Sequence, residues 1–233
     1  MKLTSYLLLL GLCCSAPVYA DKVDYDMQKI HSLVEQEKYA EALSMHQVYF
    51  AESRDAEGQF GVRLSFALAD WAKLGELYPP AMTALQNIAA EHKEQLLDGR
   101  GDFDMMMEFA SINEYIGDPR ATIEVFRAVD QAYPEQSRSL FFAVREELFA
   151  QQEYQLIHKF VEDPIYAFEQ ARNHRELRLS QARKGKYKMD LFQMDKVYSR
   201  SVHELLQMTE SLGLIEDYDE IKKRHKAYMD LYR

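Results

Sequence analysis

The feature that most constrains this chain is the small number and regular placement of its glycine and proline residues. The 233 residues include only 9 glycines and 6 prolines, which is about half of the average usage. Such a chain lacks the turn residues that a β-sandwich or β-barrel requires. The breaks fall at intervals of helix length, at Gly58 and Gly61, Pro79 and Pro80, Gly99 and Gly101, Gly117 and Pro119, Pro134, Pro164, Gly185 and Gly213. The sequence therefore predicts an all-α fold.

Two of the prolines directly follow an aspartate. Asp118 precedes Pro119, and Asp163 precedes Pro164. The fixed φ and missing N–H of proline suit the first turn of a helix, and an aspartate at the N-cap can accept a hydrogen bond from that turn. The residues after Pro119 share one helical face, namely Thr122, Val125, Phe126, Val129 and Tyr133. We therefore expect these prolines to start helices.

Polar residues subdivide the remaining long stretches. Breaks are expected at residues 37–38 and 151–152, where polar pairs interrupt the apolar pattern. Further along, Ser201 followed by Glu204 fits a capping box and predicts that a helix begins there. The alternative is one continuous helix over about 188–212.

A degenerate internal repeat is also visible. The segment from Leu33 to Tyr39 is echoed by the segment from Leu148 to Tyr154, with the same leucine-to-tyrosine spacing and similar polar residues between. Landmarks at comparable helix junctions are Tyr39, Pro80, Pro119, Tyr154, Tyr187 and Tyr218, which are 41, 39, 35, 33 and 31 residues apart. A period of this length with two helices per unit is typical of α-solenoids.

Residues 103–134 give the clearest single unit of this repeat. Its landmarks are Phe109-Ala110, Gly117-Asp118, Phe126 and Tyr133-Pro134. This pattern resembles the tetratricopeptide repeat (TPR) family. The segment from Trp71 to Tyr78 also spells the opening signature of that repeat, but Pro79 and Pro80 follow at once. Trp71 precedes Pro79 by the same eight residues that separate Phe126 from Pro134, so we place it in a helix that ends at the prolines, and in the core.

The resemblance implies an architecture and a domain organisation. We predict an α-solenoid of about 11–12 antiparallel helices in TPR-like helix-turn-helix repeats. Residues 21–162 would form the TPR-like repeats. Residues 163–233 would continue the same solenoid as C-terminal repeats or a cap with a basic helix.

The N-terminal 20 residues have the pattern of a secretory signal peptide. Lys2 precedes an apolar run over residues 6–14, and Val18-Tyr19-Ala20 provides the small residues that signal peptidase reads before Asp21. We expect cleavage after Ala20 and a periplasmic or secreted protein without membrane insertion after the signal is removed. Both cysteines lie within the apolar run, so the mature chain would contain no thiol chemistry.

Charge is distributed unevenly along the chain. The net charge is -10, which argues against nucleic acid as a partner. Residues 21–170 carry 13 basic and 28 acidic side chains, whereas residues 171–233 carry 14 and 10. Much of the positive excess comes from Arg172, Arg175, Arg178, Arg183 and Lys184. These residues form either an internal counter-charge to the acidic repeats, which we favour, or an anion patch that docks an external polyanion.

The sequence contains no motif that predicts an enzyme or a cofactor. There is no serine elbow, no phosphate-binding glycine loop and no zinc-peptidase histidine pair. The acidic turn before residue 105 is expected to cap the next helix through Asp102 or Asp104. The run Met105-Met106-Met107 points in three directions around a helix, so we expect one or two of these side chains in the core rather than a metal site.

The TPR resemblance implies a binding surface, because in that family the first helix of each pair lines the concave face. Carried over by position, the partner-binding residues are Asp24, Met27, His31 and Glu35 in the first unit and Asp104, Met107, Ser111, Glu114 and Tyr115 in the clearest unit. The predicted function is an exported scaffold that binds a protein or peptide partner. The alternatives are an all-helical cell-envelope hydrolase or lyase, and a structural assembly subunit.

Overall fold

The computed structural model describes residues 26–184 and 191–232, and within these residues the chain is entirely helical with no strand. The all-α prediction is therefore confirmed. The first helices are α1 (Met27–Glu35), α2 (Tyr39–Glu52), α3 (Phe60–Val62), then a π-helical turn (Arg63–Ala67), α4 (Leu68–Leu77), α5 (Pro79–Leu97) and α6 (Phe103–Tyr115). The remaining helices are α7 (Pro119–Ala132), α8 (Pro134–Ala150), α9 (Tyr154–Phe160), α10 (Pro164–Arg183), α11 (Leu191–Ser211) and α12 (Ile215–Asp230).

The chain divides into two compact units, one ending at Arg63 and one beginning at Leu64. In the first unit α1 packs on α2. Arg63 donates from Nε to the carbonyl oxygen of Phe50 at 2.9 Å, and its guanidinium lies 3.8 Å from the centre of that phenylalanine ring. Tyr49 donates from its hydroxyl to Gln59 at 2.8 Å. These contacts hold the chain after α2 against the end of that helix.

The second unit is built from successive helix contacts. Each helix from α4 to α6 contacts the next helix and the next but one, and α7 and α8 each contact the helix that follows. The fully buried large side chains of this region are Leu68, Trp71, Leu74, Leu85, Leu96, Met106, Phe109, Ile112, Phe126 and Leu140. Burying a side chain of this size contributes roughly 1.5–3 kcal/mol, so this shared apolar interior holds the helices together.

The last three helices of the second unit, α10, α11 and α12, each contact the other two, and α11 also contacts α9. Ser201 lies inside α11, ten residues after its start. The capping-box prediction is therefore wrong, and the alternative of one long helix is correct. The reason is that α11 presents a continuous apolar face, which includes Tyr198, Val202 and Leu205, and packing of that face outweighs a local capping signal.

Prolines begin four helices, as the sequence predicted for two of them. Pro79, Pro119, Pro134 and Pro164 are the first residues of α5, α7, α8 and α10. Asp163 accepts a hydrogen bond from the backbone N–H of Tyr166 at 2.9 Å, whereas Asp118 occupies the N-cap position without a side-chain cap bond. Trp71 lies in α4, which ends just before Pro79 as predicted, and only 1% of its surface is exposed.

Five helix ends share one hydrogen-bonded turn. In each, a residue with a left-handed backbone follows the helix, and the next N–H bonds to the carbonyl five residues earlier. The left-handed residues are Glu37, Gly99, Gly117, Gln152 and Gly213. The repeated segments 33–39 and 148–154 both form this turn, because the carbonyls of Leu33 and Leu148 are its acceptors. The sequence repeat is therefore a repeat of turn geometry.

Trp71→Ala is expected to lower the free energy of unfolding by about 3–5 kcal/mol, because it opens a large cavity in the core. The hydrogen bond that the indole Nε1 donates to the carbonyl of Ala81, at 3.0 Å, would also be lost. Thermal and urea unfolding followed by circular dichroism provide the measurement. Leu77→Ala, on the same helix but 59% exposed, is the matched control and should change stability by less than about 0.5 kcal/mol.

Gln152→Gly is expected to raise the free energy of unfolding by about 0.5–1 kcal/mol, because Gln152 holds a left-handed φ of 58° that glycine adopts without strain. Gly117→Ala should lower it by about 1 kcal/mol, and no atom lies within 4 Å of the added methyl to complicate the comparison. Gln151→Gly, at φ -92°, is the control. A gain in stability from that control as well would contradict the turn argument.

Candidate functional site

The predicted face of α6 is accessible. Asp104 and Glu114 are exposed and Met107, Ser111 and Tyr115 are half-buried, while the opposite side of the helix buries apolar residues. Burial and the neighbouring carboxylate of Glu114 raise the pKa of Tyr115. These five residues follow the helical period, so they form one surface of mixed acidic and apolar character.

The predicted face of α1 belongs to the first unit. Met27, His31 and Glu35 are spaced four residues apart and are exposed, while Ile30 is the buried residue of this helix. Asp24 lies outside the described residues. The three described residues share one exposed stripe of α1.

The acidic turn and the methionines before α6 have structural roles. Asp102 caps α6 by accepting the backbone N–H of Met105 at 2.8 Å. Met105 and Met106 are buried, whereas Met107 is half-buried, which confirms the core prediction for two of the three methionines. Within residues 26–184 and 191–232, no group of three or more His, Cys, Asp or Glu side chains is placed to hold a metal ion.

The five basic residues of α10 and its end do not form one exposed surface. Arg175 is only 6% exposed, so its charge faces the interior rather than an external polyanion. Arg172 pairs with Glu169 at 2.7 Å. Arg178 donates from Nε to Nε2 of His174 at 3.0 Å, and Arg183 and Lys184 are exposed. An anion patch here would lack its central residue.

Arg175 is the centre of a polar cluster that joins the last three helices. It donates from Nε to Asp195 of α11 and from Nη1 to the hydroxyl of Tyr228 of α12, both at 2.8 Å. The rings of Tyr198, Tyr228 and Tyr232 lie 4.6–5.7 Å from its guanidinium. Burial alone would lower the pKa of Arg175, but the hydrogen bonds to Tyr228 and Asp195 outweigh it and raise that pKa. The buried charge is therefore fully compensated.

The pKa values of the groups around Arg175 are shifted in the directions that their contacts require. Hydrogen bonds from Tyr228 and Tyr232 lower the pKa of Glu176. Burial raises the pKa of Tyr198 to about 12, and it lowers the pKa of His225, whose Nδ1 lies 3.0 Å from the Tyr198 hydroxyl. The cluster is most favourable when Tyr198, Tyr228 and His225 are neutral and Glu176 is charged.

A second buried pair lies between α5 and α6. His92 Nε2 lies 2.8 Å from Oε2 of Glu108, with side chains 10% and 2% exposed. This pair could not be predicted from the sequence, because the two residues are sixteen positions apart and each fits an ordinary helix face. This buried contact joins α5 to α6.

An open groove of about 560 Å³ lies between α8 and α10. Its apolar lining includes Phe141 of α8, Phe160 of α9 and Leu205 of α11. The rings of Phe141 and Phe160 stack with centres 4.8 Å apart. Ala167 and Ala171 face this space from α10. Because they are one helical turn apart and small, they leave room for a ligand.

Two large aromatic side chains stand exposed at the groove. Phe142 of α8 is 71% exposed and Tyr166 of α10 is 62% exposed. Exposed aromatic residues beside an apolar groove mark interaction sites more often than isolated surface residues do. The sequence did contain one signal: Phe141 and Phe142 are adjacent in one helix and cannot both face the same core.

Both arginines that line the groove pair with carboxylates. Arg138 lies 3.6 Å from Glu162, and both are well exposed. Arg145 lies 2.7 Å from Glu204 and is partly buried. The two arginines are seven residues apart on α8, or about 10 Å along the helix, so they lie on either side of Phe141 and Phe142. Asp163 is a further charged residue of the lining.

The chain matches no protein-family model, no curated protein and no solved structure. In the part of the chain that the structure describes, none of the helices combines the length and apolar character needed to cross a bilayer.

Arg175→Gln is expected to lower the free energy of unfolding by about 2–4 kcal/mol, because it removes two charge-assisted hydrogen bonds and leaves Asp195 and Glu176 without their cation. Arg183→Gln, at an exposed position, should change it by less than about 0.5 kcal/mol. Chemical unfolding of both variants gives the comparison. Unchanged stability of Arg175→Gln together with lost retention on heparin would indicate a polyanion dock instead.

The C-terminal cluster is expected to loosen in alkali. Tyr198 has a pKa of about 12 in the folded chain and about 10 when unfolded. Its contribution to stability is therefore complete below about pH 10 and is lost as the pH rises towards about 12. Helicity and phenolate absorbance followed over that range measure this. Tyr198→Phe should move the alkaline transition upward, whereas Tyr133→Phe should leave it in place.

Proposed function

We propose that the chain is an exported, TPR-like α-solenoid that serves as a scaffold for a protein or peptide partner. The observation that carries the binding role is the groove between α8 and α10, whose lining includes the aromatic side chains Phe141, Phe142, Phe160 and Tyr166. Support for the solenoid comes from the helix contacts of the second unit, where α4, α5 and α6 each contact the two helices that follow. Stacked helices of this kind leave grooves between neighbours in which partners bind.

The groove and the α6 face differ as binding surfaces. The groove offers buried apolar contact beside Phe142 and Tyr166, whereas the α6 face offers Asp104 and Glu114 with half-buried Met107. Apolar burial supplies most binding energy, and exposed charges chiefly steer encounter. We therefore place the principal site in the groove and keep the α6 face as a second surface.

No observation on the described residues favours the hydrolase alternative. The carboxylates at the groove are Glu162 and Asp163. Glu162 pairs with Arg138, and Asp163 caps α10. A hydrolase would need two carboxylates that converge on a substrate with separated pKa values. In the assembly-subunit alternative, copies of the chain would pair at their ends by stacking terminal helices.

A photo-crosslinking amino acid placed at position 142, 114 or 177 tests the site in the cells that export the protein. Position 142 is expected to form a covalent adduct of one defined mass, because a partner in the groove would cover it. Position 177 is the control, since Leu177 is 56% exposed on α10 and does not line the groove. An adduct from position 114 but not from position 142 would indicate that the binding site lies on α6. The absence of an adduct from both positions would contradict the binding function.

A further inference from the structure

We propose that four charged side chains between α8 and α11 form a latch that holds the groove between α8 and α10 in its binding form, an inference that rests on the proposed binding function. The latch consists of Arg145 and Glu146 of α8 and Arg200 and Glu204 of α11. Each helix contributes one cation and one anion. The latch matters because the two sides of the groove belong to different groups of helices.

The two groups share little packed surface. Each of α10, α11 and α12 packs closely on the other two, whereas α8 packs closely on α6, α7 and α9. Among the described residues, α9 and α11 are the one closely packed pair that joins the two groups. Bodies that share a small interface move relative to one another unless other contacts hold them. The C-terminal group, α10 to α12, therefore needs further contacts to stay in place.

The C-terminal group is held together internally and is connected to α9 by a short link. Phe168 of α10, Met208 of α11 and Ile221 of α12 are fully buried, and Arg175 bonds to both other helices. Residues 161–163, which connect α9 to α10, are not helical. A few residues at the end of an element are enough to absorb the dihedral changes of a hinge. Rotation of the group about this link would change the groove.

The ion pairs between α8 and α11 bridge the two groups. Arg145 Nη2 lies 2.7 Å from Glu204 Oε2, with side chains 22% and 10% exposed. Arg200 Nη2 lies 2.6 Å from Glu146 Oε1, and both side chains are well exposed. Since α8 and α11 are not a closely packed pair, these long side chains make a connection between helices whose backbones lie further apart.

The latch is continuous with the wall of the groove. Arg145 lines the groove, and so do Ser201 and Leu205 of α11, each of which is next in sequence to a residue of the latch. Because α10 packs closely on α11, it would move with α11 when the latch opens. That movement would separate Phe142 of α8 from Tyr166 of α10, and a partner could no longer contact both at once.

The two ion pairs differ in their sensitivity to salt. The exposed pair of Arg200 and Glu146 is weak and is screened by dissolved ions. The partly buried pair of Arg145 and Glu204 is screened less. Arg200 and Glu146 do not line the groove, so they are positioning residues that affect a partner only through the walls. We expect the groove to loosen as ionic strength rises.

Pairs of spin labels on the full mature chain measure the latch by electron paramagnetic resonance. Labels at position 139 of α8 and position 173 of α10 report the distance between the groups, and labels at positions 177 and 226 report a distance within the C-terminal group. All four positions are exposed. Arg200→Gln, or about 1 M salt, should lengthen and broaden the first distance and leave the second unchanged. Arg200→Lys, which keeps the charge, should restore the narrow first distance.

Arg224→Gln is the matched control, because Arg224 pairs with Glu169 at 2.9 Å within the C-terminal group. It should leave the first distance unchanged. Circular dichroism verifies that each variant keeps its helicity. A first distance that is the same in the parent chain, in Arg200→Gln and in Glu146→Gln would overturn the latch. A broad first distance in the parent chain at low salt would overturn it as well.

The photo-crosslinker at position 142 connects the latch to binding. Arg200→Gln should reduce the yield of the adduct at least about twofold, since only the latched fraction of molecules binds, and Arg224→Gln should not. An unchanged yield together with a longer first distance would show that the latch does not prepare the groove, and would overturn the proposal. Absence of the adduct in the parent chain would contradict the proposed binding function, whereas the label distances alone would still establish or exclude the latch.

Discussion

The packing of neighbouring helices depends first on the reversal of the chain at the five described helix ends that carry a left-handed residue. Apart from the three-residue α3, the described helices are 7 to 21 residues long. Helices of this length cannot bury an apolar face alone, so each needs a neighbour. The turn with a left-handed residue satisfies the last carbonyls of one helix and directs the next helix back against it. Gly117 makes this turn between α6 and α7, which then pack together. Because the second helix returns against the first, their apolar faces meet and form the hydrophobic interior.

Two buried polar sites among the described residues then favour one arrangement of the helices, because a buried polar group that loses its partner is costly. The His92–Glu108 pair sets α5 against α6, and Arg175 sets α10 against both α11 and α12. A shift of one helix along its neighbour would leave one of these groups without its partner at a cost of several kcal/mol. Apolar packing alone is less demanding, since similar side chains can exchange places with small losses.

The groove between α8 and α10 is a place where the packing of the second unit is left open. Elsewhere, large aromatic residues such as Trp71 and Phe126 fill the space between helices. At this position α10 offers Ala167 and Ala171 instead, and Phe142 and Tyr166 remain in solvent. Leaving two aromatic side chains uncovered forfeits roughly 1.5–3 kcal/mol for each, and a partner that covers them recovers that free energy on binding.

The sequence by itself determined the helical class, the proline-started helices and the core position of Trp71, because these depend on local dihedral limits and on the period of apolar residues. It also marked the turns, since glycine or an equivalent left-handed residue must stand there. Only the tertiary structure decided that Arg175 is buried, that Ser201 lies within one long helix, and that Phe142 faces an open groove. These outcomes depend on which distant helices meet. Arg175 and Tyr228 are more than fifty positions apart in the sequence, and a contact over such a separation leaves no periodic signal in the chain.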